Sequence, residues 1–241
     1  MPRFFINQVP EELVWITGED ARHIARSLRM KPGEKVILCD SLGTDYNGEI
    51  VSVSPQEVQI RVLSFCRTVA EPGIFVTLYQ GLPKSDKMDS IVQKSVECGV
   101  NRIVPVQTAR CVSRPDAKSI AKKQERWQKI AEEAAKQSGR GVIPEVAAMA
   151  DFKAAVKQAA QQGEILLFYE GGGEGIARLV GPETKTISVF IGPEGGFEAS
   201  EVAFAQQFSA KAATLGPRIL RTETAPIAAL AAIMLASGNM E

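Results

Sequence analysis

The chain has 241 residues, 28 of them basic and 28 acidic, with a single histidine. About 45% are apolar, enough to bury a sizeable core, which excludes an intrinsically disordered chain. A zero formal charge argues against a protein that coats nucleic acid indiscriminately, though it leaves room for local patches.

The charge is unevenly spread. Between Lys84 and Arg140 there are 13 Lys and Arg against 7 Asp and Glu, whereas Met1 to Ala70 carries 8 against 9. The middle third is therefore where an anionic partner would dock, and a solvated helical face is the plainer explanation. Cys39, Cys66, Cys98 and Cys111 form no C-x-x-C pair and have only His23 to join them, so no metal site is expected. They read as small buried hydrophobes in a reducing compartment. The N-terminus lacks a signal-peptide pattern, and the most apolar stretch, Ala225 to Ala236, is shorter than the roughly 20 residues a bilayer span needs. A cytoplasmic protein with no membrane segment is expected.

In chain order, the pattern begins with a small β domain. Val14 to Ile16, Lys35 to Cys39, Gly48 to Val53 and Val58 to Leu63 are short β-rich runs bounded by turn formers such as Lys31-Pro32-Gly33. One helix interrupts them: Gly18-Glu19-Asp20 supplies an acidic first turn, Ile24 and Leu28 share a face, and Arg22, Arg26 and Arg29 project at helical spacing. Several strands with one helix suggest a small barrel, in which His23 reads as a structural member. Glu71-Pro72-Gly73 reads as a linker.

After it, strands alternate with helices. Strands are predicted at Ile74–Tyr79, Arg102–Val106, Ile165–Tyr169, Ile187–Ile191 and Ala212–Leu215. Helices are predicted at Ser85–Cys98, Ala117–Gln137, Ala199–Phe208 and Thr222–Ser237. Trp127 falls on the second of these helices as a core residue. Such alternation predicts a mostly parallel sheet covered on both faces, with ligands bound outside the carboxyl ends of its strands.

Two loops leave those ends. Gly192-Pro193-Glu194-Gly195-Gly196 follows an apolar strand and leads into a helix; its glycines admit close approach of a ligand to backbone amides. It has neither the Walker lysine nor the dinucleotide spacing, and a tight structural turn explains it as well as a ligand loop does. Leu215-Gly216-Pro217-Arg218-Ile219-Leu220-Arg221-Thr222-Glu223-Thr224-Ala225 carries two arginines into a very apolar helix, which Thr222 or Thr224 can cap. A capped core helix with two solvated arginines fits the same spacing. Gly171-Gly172-Gly173 reads as a flexible connector. Lys84, Lys87 and Lys94 add basic charge that suits either a phosphate-binding face or a solvated helix.

Together these segments resemble the 16S ribosomal RNA uracil-N3 methyltransferase family, RsmE type, of the SPOUT superfamily. The resemblance runs over nearly the whole chain: Arg3-Phe4-Phe5, His23 to Arg29 with Lys31-Pro32-Gly33, Gln93-Lys94 with Glu97-Cys98-Gly99, Arg126 to Ile130, Glu133 to Arg140, and the two loops. It implies a PUA-like β-barrel RNA-binding domain over residues 1–70. It further implies an α/β domain over 74–241 that is tied in a deep C-terminal trefoil knot, binds S-adenosylmethionine and dimerises. By position, the cofactor would lie against Tyr169, Glu170, Gly192, Pro193, Glu194, Gly195, Gly196, Leu215, Gly216, Ile219, Leu220, Thr222, Thr224 and Ala225. The substrate implied is a uridine of 16S ribosomal RNA in the small ribosomal subunit, bound by a homodimer without a metal.

A sulfonium methyl is already electrophilic, so the chemical difficulty is the protonated uracil N3. Arg221 is expected to stabilise the negative charge that develops on a uracil carbonyl oxygen, with Glu223 as proton acceptor. RNA phosphates would meet Arg3, Arg22, Arg26 and Arg29 from the barrel, and Lys84, Lys87, Lys94, Arg110, Arg114 and Arg140 from the second domain. Cys111 stands where relatives are expected to carry serine. The rival readings are a non-catalytic RNA-binding or ribosome assembly factor on the same fold, and a nucleotide-dependent enzyme; intact loops disfavour the first and the missing Walker lysine the second.

Overall fold

The computed structural model describes residues 1–6 and 9–240. The chain divides into two compact units, Met1–Glu71 with Ala135–Ile143, and Pro72–Ala134 with Pro144–Glu241.

The first unit holds β1 (Arg3–Phe5), β2 (Leu13–Thr17), α1 (Gly18–Arg22), β3 (Lys35–Cys39), β4 (Thr44–Val53) and β5 (Glu57–Arg67). They form one sheet in the order β1-β3-β4-β5-β2, with β1 parallel to β3 and the other pairs antiparallel. Alternate residues of β2, β3 and early β5 point inward, so Val14, Ile16, Val36, Leu38, Val58 and Ile60 meet Phe4, Ala21, Ile24 and Ile50 in one core. Register shifts at Asn47/Gly48 and Ile50/Ser52 bend the β4–β5 pair, which curls the sheet.

The helix departs from its expected spacing. After Arg22 the chain widens into a π turn over His23–Ser27, so Ile24 is buried while Leu28 lies on the surface. The Met30 amide then donates to the Ile24 carbonyl, and Arg29 takes φ +53° where a glycine is usual. Arg22, Arg26 and Arg29 are all exposed, but Arg29 is not on the helix. His23 is also exposed and opens the π turn of this helix, where its carbonyl accepts the Leu28 amide.

Two further expectations fail here. Glu71 is not a bare linker residue. Its carboxylate accepts Arg140 Nε and Nη2, each at 2.9 Å, and the Gly141 and Val142 amides at 2.7 and 3.1 Å. Arg140 is 2% exposed, so it cannot reach an RNA phosphate. Arg3 is likewise committed: its guanidinium pairs both Asp45 oxygens, at 2.5 and 2.7 Å, and approaches the Arg140 carbonyl. Both arginines leave the RNA-facing set because a carboxylate, buried Asp45 for Arg3 and half-buried Glu71 for Arg140, holds each of them. Cys66 is exposed rather than buried, whereas Cys39 is buried with its thiol on the Gly141 carbonyl.

The second unit holds β6 (Phe75–Gly81), α2 (Lys87–Glu97), β7 (Arg102–Gln107) and α3 (Ala117–Ser138), whose last turn belongs to the first unit. There follow β8 (Glu145–Val146), β9 (Ala150–Asp151), α4 (Phe152–Ala160), β10 (Glu164–Phe168), β11 (Glu174–Gly175) and α5 (Ile176–Leu179). The chain ends with β12 (Thr186–Ile191), α6 (Ala199–Gln206), β13 (Lys211–Thr214) and α7 (Ala225–Ala236). The sheet order is β11-β13-β10-β12-β6-β7-β8, with β9 also on β7, and every pairing is parallel. β6, β10 and β12 are buried in unbroken runs, as a sheet covered on both faces requires. Tyr79, Val104, Ile165, Leu167 and Phe190 pack with Phe152, Ala155 and Val156 of α4 and Ala205 of α6. Tyr79 and Phe190 stack with ring centroids 4.4 Å apart. Trp127 is buried, with its indole N–H on Asp89. No helix among the described residues is long and apolar enough to cross a membrane.

The helix α4 had no counterpart in the expected alternation. The Gly171–Gly173 run is no slack connector either, because a Cβ at Gly173 would stand 2.5 Å from the Ala212 backbone of β13.

Burial raises the Glu71 pKa, but Arg140 and the two amides outweigh it and hold the carboxyl below its ordinary 4.5. Its contribution to stability is therefore complete above that value and is lost as pH falls through the lower folded value. Arg140→Met strands the carboxylate and is expected to cost roughly 3 kcal/mol or more in urea unfolding. Glu71→Gln should remove part of the acid sensitivity; an acid limb identical to that of the unaltered protein would contradict the assignment.

Candidate active site

The parallel sheet sends β10, β12 and β13 out along one edge, and their following loops enclose a cleft of about 740 Å³. A cleft of this volume suits a ligand of cofactor size. Of the expected cofactor residues, Tyr169, Glu170, Gly192, Pro193, Glu194, Gly196, Leu215, Gly216, Ile219, Leu220, Thr222 and Ala225 line it. Gly195 and Thr224 do not. The Gly195 carbonyl faces outward and accepts Arg110 Nη1 at 2.9 Å. Thr224 is the residue before α7, exposed, with its side chain making no capping bond.

Thr222 does not cap the helix either. Its hydroxyl donates to the Gly192 carbonyl at 2.8 Å, which delays the start of α7 to Ala225 and joins the two cleft loops directly. Pro226 follows in the first turn, where its missing N–H costs nothing.

Arg221 lines the cleft and is exposed, as is Arg218. Glu223 does not line it but stands beside its mouth, where Lys87 Nζ lies 3.1 Å from Glu223 Oε2 and 3.0 Å from Glu194 Oε1. The Lys87–Glu223 contact is an ion pair rather than an aligned hydrogen bond, since Oε2 has no hydrogen-bond partner among the described residues. The Lys84 amide donates to the same Glu194 carboxylate. Lys87 lines the cleft, which the sequence reading did not foresee, and two carboxylates neutralise the charge it was expected to offer a phosphate. Its partners hold the Lys87 ammonium above the ordinary lysine range, so it stays charged. The Glu223 carboxyl is held low, chiefly by its own backbone N–H and then by Lys87 and Arg221. Glu194 is also low, because its amide and lysine contacts outweigh the effect of burial. Glu223 is therefore a weak base in this arrangement.

The other residues of this unit expected to meet RNA phosphates, Lys84, Lys94, Arg110 and Arg114, are all exposed. The Arg110 segment is fastened to the first cleft loop through Gly195, and the Ala109 amide is held by Glu201 of α6 at 2.9 Å. Cys111 is buried beneath this segment against Thr108, so its thiol is packing rather than chemistry.

Comparison with known proteins gives the arrangement a family. Residues 70–234 match the model of an RNA methyltransferase domain, and residues 16–63 that of an RNA methyltransferase PUA domain. The ribosomal RNA small subunit methyltransferase E of Bacillus subtilis is 36% identical over 97% of this chain and 96% of that protein. That of Mycobacterium tuberculosis is 29% identical over 95% of this chain and 90% of that protein. The crystal structure of the Neisseria gonorrhoeae ribosomal RNA small subunit methyltransferase E bound to S-adenosyl methionine superposes with a TM-score of 0.89 at 32% identity, covering 98% of this chain and 97% of that one. Membership extends over both units of the fold, and the chain belongs to the ribosomal RNA small subunit methyltransferase E family.

Proposed function

We propose that this chain transfers a methyl group from S-adenosylmethionine to N3 of one uridine in the decoding region of 16S ribosomal RNA, in the small subunit. The observation that carries the reading is the cleft at the ends of β10, β12 and β13, walled by both loops of the family's signature and fronted by Arg221. Its residues fit the cofactor: glycine backbone for a flat purine, the apolar Leu215 and Leu220 beside it, and the Glu170 carboxylate as an acceptor for hydroxyls. Bound there, S-adenosylmethionine supplies an electrophilic methyl.

The protein's own task is to make N3 nucleophilic and hold it in line. Arg221, at the mouth of the cleft, stabilises negative charge on the uracil carbonyl as the N3 proton leaves. Glu223 accepts that proton, but as a carboxylate held low by its own backbone N–H and by Lys87 it pulls weakly, so anion stabilisation by Arg221 carries the larger share. Arg22, Arg26 and Arg29 on the first unit, and Lys84, Lys94, Arg110 and Arg114 on the second, meet RNA phosphates. We further propose a homodimer, supported by the half-buried apolar surface of α7 and its exposed Leu235, and a trefoil knot around the cofactor. A cytoplasmic location follows from a ribosomal substrate.

The direct test incubates small subunits from cells lacking the enzyme with the protein and S-adenosylmethionine, and digests the RNA for mass spectrometry. The expected product is 3-methyluridine at one decoding-region position; cofactor binding without that product would mean another substrate. Arg221→Ala should lower kcat by about 10²- to 10³-fold on saturating subunits, and near-normal turnover would remove Arg221 from this role. Because Glu223 is ionised well below neutrality, kcat should show no Glu223-dependent inflection at about pH 6 to 7. An acid limb there that disappears in Glu223→Gln would contradict the weak-base assignment.

A further inference from the structure

The C-terminal end of β6 lies against the first cleft loop, at Gly192 and Pro193, and no motif announces it. Gln80 is fully buried in the middle of the sheet, opposite Ile191 of β12 and Pro105 of β7. Its Nε2 donates to Thr222 Oγ1 at 3.2 Å and to the Gly81 carbonyl at 3.0 Å, with the Gly192 carbonyl at the 3.5 Å limit. Thr222 in turn gives its single hydroxyl proton to Gly192. The threonine oxygen can therefore only accept from Gln80, which fixes the carboxamide orientation and leaves Gln80 Oε1 buried without a donor among the described residues.

An unpaired buried acceptor is costly, and an apolar side chain would avoid that cost if filling the core were all this position did. The next residue points the same way: a Cβ at Gly81 would stand 2.5 Å from Pro193 Cδ, so only glycine lets the first cleft loop settle on the strand end. Lys87 also ties the two loops, but its ion pairs are partly exposed and screened, whereas the Gln80–Thr222–Gly192 chain is shielded from water.

We infer that Gln80 is a positioning residue for the cofactor cleft: through Thr222 and Gly192 it holds the loop after β12 and the turn before α7 in the register that S-adenosylmethionine binding needs. This rests on the reading of the cleft as the S-adenosylmethionine site. Gln80 touches neither reacting group, so its loss should appear in cofactor affinity and not in turnover at saturating cofactor.

The test compares Gln80→Met, Thr222→Val and the double variant of the full chain. S-adenosylmethionine is titrated calorimetrically, thermal unfolding is recorded without cofactor, and KM and kcat are measured on small subunits. Each single variant should raise the cofactor Kd about tenfold, as loss of a buried hydrogen bond implies. KM for the cofactor should rise in parallel in both, and in Gln80→Met, whose residue does not line the cleft, kcat at saturation should be retained. The double variant should be no worse than the more damaged single variant, because both break one chain of bonds. A folded Gln80→Met with unchanged Kd and a lowered melting temperature would overturn the inference and leave Gln80 as a core filler, as would full additivity in the double variant. Gln80→Leu, which also fills the buried position without a carboxamide, decides the question should Gln80→Met not fold. If the unaltered protein takes up no S-adenosylmethionine, the cofactor reading itself falls and the inference with it; binding by the unaltered protein that the variants match sinks the inference alone.

Discussion

The parallel pairing of β12 with β6 on one side and β10 on the other is the constraint from which the site follows. Parallel strands finish together, so the chain emerges from β10, β12 and β13 along one edge and the loops 169–170, 192–196 and 215–222 meet there. Nothing in any single loop would create the cleft. Antiparallel pairing at one of these strands would send its loop to the opposite edge. The same pairing places Gln80 and Gly81 directly beneath the Gly192–Pro193 turn, so the floor of the site is set by register before any side chain makes a specific contact.

Charge is used in two different ways along the chain. Arg3 and Arg140 are consumed by Asp45 and Glu71 inside the first unit, where each pair answers a buried charge, on Asp45 and on Arg140, that would otherwise be costly. Lys87 is held between Glu194 and Glu223 at the lip of the cleft, where it fixes loops and keeps Glu223 ionised. The arginines and lysines left facing solvent are a smaller set than the basic count suggests, and these are the ones available to an anionic partner.

Much of this was legible in the sequence, for definable reasons. Unbroken apolar runs such as Ile187–Ile191 and the helix periods between them gave the parallel sheet, because a strand buried on both faces has no polar alternation to confuse it. β1 paired with β3 was missed because three residues carry no period. α4 has no counterpart in the sequence reading, although Asp151 caps it by accepting the Ala154 amide. Helical spacing misled at Leu28, since a π turn is invisible to a 3.6-residue template. Which arginines pair internally is set by residues about 42 and 69 positions away, at Asp45 and Glu71, and no local reading can supply that. The cleft loops were found because glycine and proline mark them; Gln80 was not, because a polar residue at a strand end is unremarkable until its partners are known, and Lys87 was read as a phosphate contact because Glu194 and Glu223 lie far along the chain.

The central claim is that the two loops form one cofactor site at the carboxyl edge of the sheet. A structure of the full chain determined with S-adenosylmethionine tests it most directly. The cofactor should lie between the 192–196 and 215–225 loops, with its methyl directed toward Arg221 and the Thr222–Gly192 bond kept. Cofactor bound elsewhere on the sheet, or a methyl turned away from Arg221, would contradict it.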